Sequence, residues 1–165
     1  MRNRKLLHLL KNKPAWLPVL LWAATACQSN IVYHSYQPVS PDGWDKSDTL
    51  VYALPASVSA GKYEAEIDIR YRESYPYRDI WLGVSHNMQD TLTYTTDTLQ
   101  LFLTDESGRR KGNSPAGLYQ CDLPYKASFP IRVEGNTRTF RIVHIMTDRP
   151  LKGISDVGIR LRKAE

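Results

Sequence analysis

The sequence predicts an all-β protein: a single antiparallel β-sandwich, with the jelly roll as one form of it, following an N-terminal export segment. Three observations carry that expectation. From Ile31 onward apolar residues recur at every second position, not at the 3.6-residue spacing of a helix. Clusters of turn-forming residues separate these runs at short intervals. No stretch of ten residues in this region combines helical periodicity with capping residues.

Seven runs read as strands in chain order. Leu50, Tyr52 and Leu54 alternate first. Tyr63, Ala65, Ile67, Ile69 and Tyr71 alternate with Glu64, Glu66, Asp68 and Arg70, the pattern of a strand with one face in a core and one in water. Ile80, Leu82 and Val84 form the next run, then Leu99, Leu101 and Leu103, then Phe129, Ile131 and Val133. Phe140, Ile142, His144 and Met146 follow, and Val157, Ile159 and Leu161 close the chain. Pro41-Asp42-Gly43, Ala60-Gly61, Asp105 to Gly108, Glu134-Gly135-Asn136 and Lys152-Gly153 supply turns between them. About eight short strands at this spacing fill a sandwich.

Residues 1–26 read differently. A basic stretch precedes an apolar run from Ala15 to Ala26 that is too short to cross a bilayer, and it ends Ala24-Thr25-Ala26-Cys27. Small residues leading directly into a cysteine are what a lipoprotein signal peptide requires. The thiol must be reached by a lipid-transfer enzyme, and the peptidase cuts just before it. Residues 1–26 are accordingly assigned as signal peptide, and residues 27–165 as one domain lipid-anchored at Cys27. Cleavage after Ala26 without lipidation is one alternative. An uncleaved anchor is another, but it places Lys11 and Lys13 inside the bilayer, which is costly. Gln28, Ser29 and Asn30 follow the anchor with no acidic pair, which we read as retention at the periplasmic face of the outer membrane.

The formal charge of +5 belongs to the leader. Five of the 22 basic residues precede Cys27 and no acid does, leaving 17 bases against 17 acids in the mature chain. A neutral, interspersed surface lacks the basic footprint of a nucleic-acid binder. With Cys27 in a thioether, Cys121 has no intrachain partner, and it is expected as a buried, inert thiol on a strand.

Candidate chemistry is thin. His34, His86 and His144 are far apart and fit no zinc spacing, so neither a metal nor a cofactor is expected. His144 sits at an inward strand position and reads as a hydrogen-bonded core histidine. A triad with Asp148 and Ser155 lacks a nucleophile-elbow motif. Glu64, Glu66 and Asp68 read as a solvated stripe, and Asp97, Asp105 and Asp122 lack the spacing of a calcium loop. Tyr71, Tyr75, Tyr77 and Trp81 crowd one stretch around Pro76, where a cis bond before the proline is one way to build a tight turn. Tyr75, Tyr77 and Trp81 are candidates for contacting a partner protein or stacking on a sugar; burial at the sandwich edge is the structural alternative.

That stretch belongs to a wider pattern. Gly43-Trp44-Asp45-Lys46-Ser47-Asp48, Tyr63 to Arg70, Tyr75-Pro76-Tyr77-Arg78-Asp79-Ile80, Leu103 to Gly108, His144-Ile145-Met146 and Leu151 to Ile159 occur in an order that resembles the gliding-motility lipoprotein GldH family of the Bacteroidetes. The chain departs from it after Gly108, where Arg109, Arg110 and Lys111 stand in place of a tryptophan in a glycine-rich turn. The resemblance implies an outer-membrane-associated lipoprotein without catalysis or cofactor, acting as an accessory or assembly component of a gliding-motility or related secretion apparatus. Its implied partners are the membrane, through the anchor on Cys27, and other envelope proteins. A carbohydrate-binding lipoprotein using the aromatic stretch is the alternative.

Overall fold

The computed structural model describes residues 30–90, 92–135 and 137–164; Cys27 and the leader lie outside them. Eight strands follow in order: β1 (Ile31–Pro38), β2 (Leu50–Ala53), β3 (Gly61–Arg72), β4 (Asp79–His86), β5 (Thr95–Phe102), β6 (Leu118–Ile131), β7 (Thr139–His144) and β8 (Ile154–Lys163). They form two four-stranded sheets, ordered β1-β8-β3-β6 and β2-β7-β4-β5, with every pair antiparallel. The pairs β1–β8, β2–β7, β3–β6 and β4–β5 are those of one long eight-strand hairpin rolled up, with alternate pairs sent to opposite sheets. The result is a jelly roll.

The alternating residues are buried for the reason their spacing gives. Ile67, Ile69, Ile80, Leu82, Val84, Ile142, Val157, Ile159 and Leu161 have no exposed surface between the sheets. Phe129 from β6 and Phe140 from β7 meet across the layer at 5.4 Å between ring centres, with the His86 ring set edge-on to Phe129 at 4.8 Å. The Tyr52 hydroxyl donates to the carbonyl of Val157 at 2.7 Å, tying β2 to β8 in the other sheet.

One strand escaped the periodicity and another was read only at its end. β1 is an edge strand whose residues are mostly half-buried or exposed on both faces, so it shows no alternation. β6 begins at Leu118, well before the Phe129 run, and contains Pro124 and Pro130. Proline removes a ladder donor, and β6 tolerates both because it is an edge strand, paired with β3 on one side and bridged on the other only at Gln120, by Asn113. Val133 lies beyond the end of β6 and Met146 beyond the end of β7. The cis bond is also elsewhere: it precedes Pro150, and the bond before Pro76 is trans.

Gly153 has φ of +88°, and a Cβ placed on it falls 2.6 Å from the Cα of Tyr75. Its carbonyl also accepts the Arg72 amide at 2.8 Å. Gly153→Ala is therefore expected to lower the unfolding free energy by about 2–4 kcal/mol, combining left-handed strain with a backbone clash. Urea titration of the two proteins checks this through the midpoint at constant slope.

Candidate functional site

The three aromatic candidates do not share a surface. Tyr75 is buried and donates to the carbonyl of Asp79 at 2.7 Å. Its ring meets Tyr71 edge-on at 6.1 Å and Tyr77 at 5.8 Å. Tyr71 is also buried, its single hydroxyl proton shared between the carbonyls of Leu103 and Lys111, each 2.8 Å away, and its ring stacks on Tyr119 at 5.3 Å. Tyr77 is half-buried and donates to Asp148 at 2.8 Å. Arg110, from the basic run that replaces the expected glycine-rich turn, lies over Tyr71 and Tyr119 and donates to the carbonyls of Glu73 and Tyr75. This belt closes one end of the sandwich; Tyr75 offers no ring face to a ligand.

Trp81 is elsewhere, on the outer face of the β2-β7-β4-β5 sheet, 38% exposed. Its indole N–H donates to Asp79 Oδ2 at 3.1 Å, and the same oxygen accepts the Gln100 amide at 2.6 Å. Ile145, Phe102 and Val51 are exposed as well, and a Cβ on Gly83 would fall 3.3 Å from the Val143 side chain.

The opposite outer face holds what sequence reasoning missed. Asp68 was expected in water; it is fully buried. The cause is Gly158, which faces both Tyr36 and Asp68 across neighbouring strands. A Cβ on Gly158 falls 2.9 Å from the Tyr36 ring, so only glycine lets that ring settle over the sheet and roof the carboxylate. Asp68 Oδ2 accepts from Arg160 at 3.0 Å and lies 2.5 Å from His34 Nε2. Arg160, itself buried, also reaches Glu66 at 3.1 Å and Asp122 at 3.0 Å, and the Arg70 guanidinium lies 3.9 Å above the Tyr36 ring. Burial, then the nearby Asp122 charge, hold the Asp68 carboxyl above its ordinary pKa, against the pull of Arg160 and His34. Asp122 is partly desolvated too, but its hydrogen bond and ion pair with Arg160 prevail and hold it low. The signal was available in outline: an arginine and a glycine occupy outward positions of β8 beside an outward carboxylate of β3.

The remaining titratable groups do not converge on a reacting position. His144 is buried as expected, but neither ring nitrogen makes a hydrogen bond of ordinary geometry, which corrects its reading as a hydrogen-bonded core histidine. Its ring packs against Trp44 at 5.2 Å, while Asp148 is engaged by Tyr77. Asp97 accepts from Tyr125 and Lys126, and Asp105 from Ser107 and Arg109 in its own turn. Among the described residues no three His, Cys, Asp or Glu side chains stand together as a metal ion needs.

Cys121 lies buried on β6, and its thiol is pushed up to about 12 by burial first and the neighbouring Asp122 second. The native protein is expected to resist thiol reagents at neutral pH and to react stoichiometrically once unfolded. Mass spectrometry after alkylation, with and without denaturant, reads the difference.

Known proteins extend this picture. The model of a family described as GldH lipoprotein matches residues 31–161, essentially the whole sandwich. The gliding motility lipoprotein GldH of Flavobacterium johnsoniae is 25% identical over 156 residues, covering 89% of this chain and 96% of that protein. A solved particle of Israeli acute paralysis virus aligns with 98% of this chain and 81% of its own, at 9% identity and a TM-score of 0.27, a likeness too slight to carry an argument.

Proposed function

The chain belongs to the GldH lipoprotein family, and from that premise we propose that it is a non-enzymatic accessory or assembly component of a gliding-motility or related secretion apparatus. Its place is the periplasmic face of the outer membrane, with the lipid on Cys27 as its anchor. The observation that carries the reading is the family match through all eight strands to Leu161. The similar Flavobacterium protein is itself called a gliding motility lipoprotein.

The arrangement of side chains supports the same reading. Buried hydroxyls of Tyr52, Tyr71 and Tyr75 are each tied to backbone carbonyls, so these three polar groups hold the shape of the sandwich. With two acyl chains or more on Cys27, anchoring is stable without a membrane-spanning segment, since one chain alone binds only marginally.

Chemical crosslinking in native membranes, followed by recovery through a C-terminal tag, tests this role. Motility or secretion components should be recovered with the parent protein and lost with Cys27→Ser. Recovery of none of them from the correctly anchored protein would overturn the assembly role.

A further inference from the structure

We propose that the end of the sandwich from which the chain leads back to Cys27 rests on the bilayer holding the anchor, with the turn at Leu92 seated among the phospholipid headgroups. The inference rests on the lipidation of Cys27 proposed above and adds how the domain is oriented.

The tether sets the distance. Asn30 is fixed to the body of the domain: its carbonyl accepts the Lys163 amide at 2.9 Å, and its side chain donates to the Lys163 carbonyl at 3.4 Å. Cys27 is three residues away, a reach of about 10 Å at full extension. The headgroup layer is itself about 5–7 Å deep on each side. This end of the domain therefore has little room to stand clear of the membrane.

The strand register shows what else lies at that end. Ile31 pairs with Arg162, Tyr63 with Lys163 and Gly61 with Ile131, so β1 and β3 begin there while β8 and β6 end there. The β4–β5 connection is held at the same end, where the Arg132 amide donates to the Met88 carbonyl and the Asn87 amide to that of Thr139. From this connection Leu92 projects with 90% of its surface exposed, more than any other exposed large apolar side chain among the described residues.

The exposure of Leu92 is built rather than incidental. Asp90 accepts the Leu92 amide at 3.0 Å and the Thr93 hydroxyl at 3.2 Å, and its carbonyl accepts the Thr93 amide. The turn is thus closed by its own carboxylate, leaving the leucine pointing away from the core. Lys62, Arg132 and Lys163 are exposed around this end, and their ammonium and guanidinium groups suit phosphate. Glu64 and Glu134 are exposed there too, so the end carries no large net charge. Contact is led by the apolar turn and is expected to persist at high salt, unlike the docking of a polybasic patch.

The test uses the mature lipidated protein in phosphatidylethanolamine–phosphatidylglycerol vesicles doped with a nitroxide-labelled lipid. One form carries an environment-sensitive fluorophore on Leu92→Cys. Another carries it on Glu106→Cys, in the turn beyond β5 at the far end, about 25 Å away along the strands. The label at 92 should shift to shorter wavelength and be quenched, at low and high salt alike, and recover in detergent, while the label at 106 stays unquenched. If lipid is present on Cys27 and the protein floats with the vesicles, but the label at 92 is not quenched, the orientation is wrong and the anchor stands. If the N-terminal peptide carries no lipid, the anchor fails and this inference fails with it.

Discussion

Replacing Trp44 by alanine is expected to lower the unfolding free energy by about 3–5 kcal/mol, the range for emptying a fully buried aromatic site. Trp44 is only 1% exposed and belongs to no strand, yet it joins two long connections. Its amide and carbonyl exchange 2.8 Å hydrogen bonds with Leu151, and its indole N–H donates to the Asp48 carbonyl at 2.8 Å. The ring packs on His144, whose pKa burial lowers. Alanine leaves a cavity at that junction and an unpaired carbonyl at Asp48. Trp44→Phe keeps most of the ring but loses the indole donor, so it should cost only about 1–3 kcal/mol. Denaturant titrations of the three proteins give the ordering; equal stability of parent and Trp44→Ala contradicts the packing described.

The second large effect is electrostatic. Arg160→Met leaves the buried Asp68 without its cationic partner, and breaking such a pair on one side costs about 3–5 kcal/mol. The pH dependence distinguishes this from lost packing. Asp68 already titrates above its unfolded value, chiefly through burial, and Arg160 is the stronger of the two groups, with His34, that pull it down. Without Arg160 the folded state binds the proton still more readily than the unfolded state does. Above the folded pKa the carboxylate is ionised and destabilising; as pH falls through that value toward 3.8 the penalty is relieved. The difference between Arg160→Met and the parent should therefore be largest at neutral pH and shrink on acidification. A difference that stays constant from pH 7 to pH 4 would mean that Asp68 is not the group left uncompensated.

The same residues show how much of the molecule could be read from its sequence. Strands β2, β3, β4, β5, β7 and β8 were legible because apolar residues at every second position turn toward the core, even in β8, where Gly158 and Arg160 on the outer face are buried as well. β1 and the first half of β6 lack that signal: β1 is half-exposed on both faces and β6 carries two prolines. Cys121 was legible as a buried thiol. Asp68 was not, because its burial depends on the absence of a side chain at Gly158, which a pattern of polar and apolar letters does not register. Tyr75 and Trp81 were grouped by nearness in sequence, although the chain turns between them and sends one ring inward and the other to an outer sheet face. Leu92 drew no attention because an isolated leucine in a polar loop is ordinary until its exposure and its place beside the chain entry are known.

The most direct measurement of the central claim is the mass of the N-terminal peptide released from the membrane-extracted protein. An account in which this sandwich works as a lipid-tethered envelope component predicts a peptide beginning at Cys27 and heavier by a diacylglyceryl group, with or without a further acyl chain. An unmodified peptide beginning at Cys27, or one that retains residues of the leader, contradicts it.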